Sequence, residues 1–177
     1  MDRNRRENKI VPFALPWHVI QEVDLVRLIG DHHRRAALCV HAEVMADDLP
    51  RRPDAKTLTA FLAALDERVI QTETDDWSFW GAMQVHGRDD ALVSTVLDHI
   101  RARRASDVAS AREVIAALDA GADIAPDMLG YILRGFFTHC LRSIDFEQLA
   151  VLAMAGHRMT PDARALLTDA LAEGVAA

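Results

Sequence analysis

The sequence predicts an all-α fold, an up-down-up-down four-helix bundle with an N-terminal lead segment and a short fifth helix at the C-terminus. Two observations carry this. Apolar residues recur at three- and four-residue steps along four stretches of roughly 30 residues, the spacing that lays one apolar face on a helix. Short turn-forming segments separate those stretches, which favours antiparallel neighbours. Strand-like alternation is almost absent.

Residues 1–16 form a lead segment, expected to be flexible, and residues 17–177 the bundle domain. Arg3, Arg5, Arg6 and Lys9 charge the start, and Pro12 and Pro16 oppose helix formation. Helix 1 is expected from about Trp17 to Asp47, with Leu25, Leu28, His32, Ala36 and Cys39 along one face. Leu49-Pro50-Arg51-Arg52-Pro53-Asp54 stops it. Helix 2 is expected from about Asp54 to Val85, with Leu58, Leu62, Leu65, Val69, Glu73, Asp76 and Trp80 in line. Helix 3, about Asp90 to Asp119, carries Leu92, Val96, His99, Arg103, Ser110, Val114 and Leu118, and Gly121 suits its C-terminal cap. Helix 4, about Pro126 to Ala155, has the seam Leu129, Leu133, Phe136, Cys140, Ser143, Glu147, Ala150 and Met154. Thr160 and Pro161 read as N-cap and first residue of helix 5.

A chain of 177 residues is one domain's length and can bury a substantial core. A formal net charge of −7 argues against a general binder of nucleic acid or anionic membrane. No apolar run reaches the roughly 18 residues of a membrane span, and the charged Met1–Lys9 start lacks the pattern of a secretory signal. Two isolated cysteines, Cys39 and Cys140, make no disulfide framework, so a reducing, cytoplasmic location is expected.

Polar residues interrupt the apolar seams. His32 follows Leu28 by four, His99 follows Val96 by three, Glu73 follows Val69 by four, and Glu147 precedes Val151 by four. A buried carboxylate without a partner costs several kcal/mol, so Glu147 requires one. Two chemistries satisfy that need. Inward-facing Glu and His from different helices can hold iron, manganese or zinc, or Glu147 can pair with an arginine, with Arg103 and Arg142 the candidates.

Asp31-His32-His33-Arg34-Arg35-Ala36-Ala37-Leu38-Cys39 resembles the first-helix motif of bacterial hemerythrin-like (HHE cation-binding) proteins. Leu97-Asp98-His99 resembles the family's third-helix L-x-E-H. The stretch from Arg142 to Ala155 is similar to its fourth-helix motif, and His157-Arg158-Met159-Thr160 to its step into a last helix. The resemblance spans about Trp17 to Glu173 and rests on the order and spacing of these motifs. It implies a four-helix bundle holding non-haem di-iron, with oxygen or another small gas as ligand, or iron sensing or storage as the role. Carried over, His32 and His99 match the single histidines of helices 1 and 3, and Glu147 the helix-4 glutamate. Glu73 matches the helix-2 glutamate in one register; placing Phe79 on the family's phenylalanine instead puts Ile70 and Thr74 at the ligand positions.

The family's ligand set is incomplete here. Ser143 stands at the helix-4 histidine position, and Val69 at the helix-2 histidine position in the first register. The metal-ligand candidates are therefore His32, Glu73, His99 and Glu147, with Asp76 and His139 as additional ones. No phosphate-binding glycine loop, C-x-x-C or H-E-x-x-H is present, and neither cysteine has a base at suitable spacing. Nothing defines a substrate pocket, so a non-enzymatic role is expected. Two readings lead, a metal-binding protein with a degenerate site and a metal-free module engaging a protein partner or a second copy of itself; a di-iron oxidoreductase is the third and ranks below them for want of a substrate pocket.

Overall fold

The computed structural model describes residues 20–71, 79–80 and 91–176. Asp54 starts the second helix because its carboxylate accepts from the Lys56 and Thr57 backbone N–H groups, both at 2.9 Å, satisfying donors a first turn leaves free. Thr160 does the same for the last helix, accepting from the Ala163 N–H at 3.1 Å, with Pro161 as first residue. Gly121 follows the third helix at φ 58°, the left-handed conformation glycine adopts without penalty.

The helices are α1 (Glu22–Asp47), α2 (Ala55–Leu65), α3 (Ala91–Asp119), α4 (Pro126–Ala155) and α5 (Pro161–Ala176). A π-helical turn, Asp66–Ile70, continues α2 and packs on α3 and α1. Helix 2 was expected to run on to Val85; Phe79 and Trp80 are helical, while 72–78 and 81–90 lie outside the described residues. Glu73, Asp76 and the lead segment through residue 19 lie there too.

α1 begins later than the periodicity suggests. Ile20 is extended and held to the turn before α5: its N–H donates to Arg158 O at 3.0 Å, and Thr160 N–H donates to Ile20 O at 3.1 Å. Among the described residues there is no β-strand beyond this single bridge.

α4 is central, packing on α1, α3 and α5. Its pairings fix direction. His32 meets Glu147 and Asp47 meets Arg134, so α1 and α4 are antiparallel. Asp107 meets His139 and Arg104 meets Glu147, so α3 and α4 are antiparallel as well. Arg52 donates to Ile124 O at 2.9 Å, bringing the α1–α2 and α3–α4 connections to one end, as an up-down-up-down bundle requires.

The buried stripe of α3 differs from the expected one. Leu97, Ile100, Arg104, Asp107, Ala111, Val114 and Leu118 face inward, whereas Leu92 is 67% exposed and His99 lies on the outer side. Two charged residues occupy the true stripe, so the apolar line through Leu92 and Val96 competes with it. No described helix is long and apolar enough to cross a membrane.

The core is in two parts. One gathers Leu38, Phe61, Leu65, Val114, Leu133 and Phe136 toward the Arg52 end. The other gathers Leu25, Leu28, Trp80, Ile100, Val151 and Leu167 toward the Ile20 end. Between them lies a layer of buried polar side chains: Asp31, His32, Arg35, Arg104, Asp107, Ser143, Glu147 and Gln148.

Candidate functional site

Helical spacing builds this layer. Leu28, His32, Arg35 and Cys39 follow one another by four, three and four residues, which stacks them on the inner face of α1. Ser143 and Glu147, four apart, do so on α4, and Arg104 and Asp107, three apart, on α3.

Glu147 is the centre and is fully buried. Arg104 grips it with two bonds, Nε to Oε1 at 3.0 Å and Nη2 to Oε2 at 2.8 Å. Arg35 Nη2 adds a bond to Oε2 at 3.0 Å, and His32 Nε2 another at 3.0 Å. Such a fork around a carboxylate is the strong, geometrically specific kind of charge-assisted bond. Burial by itself would push the Glu147 carboxyl up. Arg35, His32 and Arg104 together overcome this and hold it well below the usual range.

His32 is neutral. Burial pushes its pKa down, against the pull of its bond to Glu147. Because Nε2 lies on a carboxylate oxygen, the proton belongs on Nε2, and Nδ1 is left buried without a hydrogen-bond partner. Arg35 also faces Asp31 one turn earlier, Nε to Oδ2 at 3.4 Å. Arg104 lies 6.0 Å from the Trp80 ring centre.

Asp107 forms a second centre one step along the bundle. Its Oδ1 accepts from His139 Nδ1 at 2.7 Å and from Ser143 Oγ at 3.2 Å, while Oδ2 is buried without a partner. Burial pushes this carboxyl up, and the bond from His139 opposes it. The cleft beside it, lined by Asp31, Arg35, Arg68, Arg104 and Asp107, has about 20 Å³ of space for water, room for about one molecule.

Of the expected ligands, His32 and Glu147 come together. His99 stays on the outside, where its ring meets Phe146 edge-on at 5.0 Å and its Nε2 accepts from Arg103 Nε at 3.3 Å. His139 reaches Asp107, and Ser143, at the family's histidine position, also serves Asp107. Glu73 and Asp76 are outside the described residues. Among the described residues, no three or more His, Cys, Asp or Glu side chains are arranged to hold a metal ion. Both Glu147 oxygens already face guanidinium groups, so the described donors do not fit a metal pair.

The arginine partners expected for Glu147 were Arg103 and Arg142. Arg103 instead lies 4.8 Å from the Phe146 ring centre, and Arg142 is exposed. Arg35 and Arg104 take the role. The signal for Arg35 was present, three residues from His32 and so on the same face. Asp107 had no comparable signal.

Fold and site together define a helical bundle whose waist is closed by a buried, ion-paired carboxylate. No protein-family model matches the chain, and no curated protein or solved structure matches it significantly.

Proposed function

We propose that this chain is a hemerythrin-like helical module that works without metal, as a regulatory or protein-interaction domain. One observation carries the reading. Two guanidinium groups and an imidazole N–H already saturate Glu147, the carboxylate that would bridge two cations in the family the motifs resemble. Arg35 and Arg104 supply the positive charge that metal ions would otherwise bring to a buried carboxylate. To bind there, a metal would have to displace both, leaving two buried cations without their shared counter-charge.

The outer face of α1 supports the interaction half of the reading. Val23 with Val26, and Val40 with Val44, form two pairs at three- and four-residue spacing, each of the four residues more than half exposed.

The test is expression in iron-supplemented medium, elemental analysis of the purified chain, and anaerobic Fe(II) loading followed by air. The expected result is a metal stoichiometry near zero and no iron–carboxylate absorption. Stoichiometric iron that disappears in Glu147→Gln would overturn the reading and restore the di-iron one.

A further inference from the structure

Cys39 and Cys140 are unexplained by the charged layer, yet that layer sets their positions. His32 on α1 faces Glu147 on α4. Cys39 lies seven residues after His32, and Cys140 seven before Glu147, on antiparallel helices. Seven residues is close to two helical turns, so both steps return to the same face at the same height. Arg134, bonded to Asp47 and to Ala46 O, holds the register beyond them. Both cysteines are free and buried in one core cluster, and Cys39 is the neighbour that pushes the Cys140 thiol up most.

We propose that Cys39 and Cys140 are a redox-convertible pair that closes a disulfide between α1 and α4, next to the charged layer. A lone buried cysteine is ordinarily an inert, small apolar residue. Here each thiol has the other as its resolving partner. The oxidant class is a hydroperoxide. One sulfur, as thiolate, attacks an oxygen of the hydroperoxide ROOH; the O–O bond breaks, the departing RO− takes up the proton the thiol lost, and a sulfenic acid and ROH (water when R is hydrogen) form. The second sulfur then attacks the sulfenic sulfur, the S–S bond forms, and water leaves. Two thiols are oxidised by two electrons in all, and the hydroperoxide is reduced to ROH and water.

The consequence for the fold is local and directional. A disulfide needs an S–S length of about 2.05 Å and Cβ atoms about 3.8 Å apart, so it draws α1 and α4 together at this level. Arg35, which bonds Glu147, stands one turn before Cys39 on α1, so movement at the cysteine level bears on the edge of the charged layer. The neighbouring Cys39 and burial push the Cys140 thiol up, which disfavours its thiolate. The pair thus reports a sustained oxidising poise, through transient opening of the helices, in preference to a brief pulse. This inference does not depend on whether the waist binds metal.

The full chain should be equilibrated in reduced and oxidised glutathione, once in native buffer and once in concentrated urea, then acid-quenched, alkylated and mapped by mass spectrometry. The expected result is an intramolecular Cys39–Cys140 disulfide favoured at least about tenfold in the native state over the unfolded one, because the fold raises the effective thiol concentration. Equal or weaker formation in native buffer would overturn the proposal. A hydroperoxide titration of the native chain should remove two hydrogens per molecule. Sulfinic or sulfonic acid at either cysteine, or disulfide-linked dimers, in place of that product would equally overturn it. Both measurements use the unaltered chain, so neither depends on how a cysteine variant folds.

Discussion

Arg104 and Glu147 are joined by two near-parallel bonds, 3.0 Å and 2.8 Å, across the interface of α3 and α4 with both side chains buried. The geometry makes the two residues energetically interdependent. Removing one partner of a buried pair leaves the other charge uncompensated, which costs more than the pair itself contributes.

Glu147→Ala should accordingly destabilise the chain by about 3–5 kcal/mol, because it strands Arg35 and Arg104 in the interior. Glu147→Gln keeps the shape and an acceptor oxygen, and should cost less. Urea denaturation read by circular dichroism measures both. The losses should be the same with and without chelator. A loss present only in metal-loaded protein would mean that Glu147 is a ligand and not an ion-pair centre.

The double variant Arg104→Met with Glu147→Leu tests the coupling directly. Each single change leaves one half of this pair unmatched, whereas the two together remove both of its charges, with Arg35 left to its other partner, Asp31. The double variant should be more stable than the sum of the single losses implies, by about 0.5–3 kcal/mol. Strict additivity in a denaturation cycle would show that the fork between them carries no net coupling.

The bundle was legible in the sequence, and the charged layer only in part. The limits of α4, Pro126 and Ala155, agree with its periodicity because its seam is apolar apart from Ser143 and Glu147. On α3 the buried stripe includes Arg104 and Asp107, residue types that ordinarily face water, so a periodicity argument settles on the wrong line and brings His99 inward. Glu147 announced that a counter-charge was needed but not which one. Arg35 and Arg104 could be chosen over Arg103 and Arg142 only once helix phase was known.

Gly121→Ala separates backbone strain from packing. Gly121 has φ 58°, and a Cβ placed there meets nothing within 4 Å. Any cost is therefore conformational, and about 1–2 kcal/mol is expected from the left-handed geometry. Thermal unfolding should register it as a lower Tm with unchanged helical content. An unchanged Tm would show that the turn after α3 relaxes freely into another conformation.

The pH dependence of stability should carry the signature of His32. Its pKa in the folded chain is lowered from 6.5 by burial, against the bond to Glu147. Between the folded and unfolded values only the unfolded chain binds the proton, so His32's contribution is present above pH 6.5 and is lost as pH falls toward the folded value. Glu147, lowered from 4.5 by Arg35, His32 and Arg104 against burial, has the same sign, with its window below pH 4.5. Asp107 has the opposite sign: burial raises it from 3.8, so its contribution is present below 3.8 and is lost as pH rises through the folded value. From pH 6.5 downward, toward the carboxylate windows, unfolding free energy should fall by up to about 1.4 kcal/mol per pH unit for the one proton on His32. His32→Gln retains an N–H for Glu147 and cannot titrate, so it should flatten that slope. Urea midpoints measured across the series decide the matter, and an undiminished slope in His32→Gln would mean that the buried imidazole is not the group responsible.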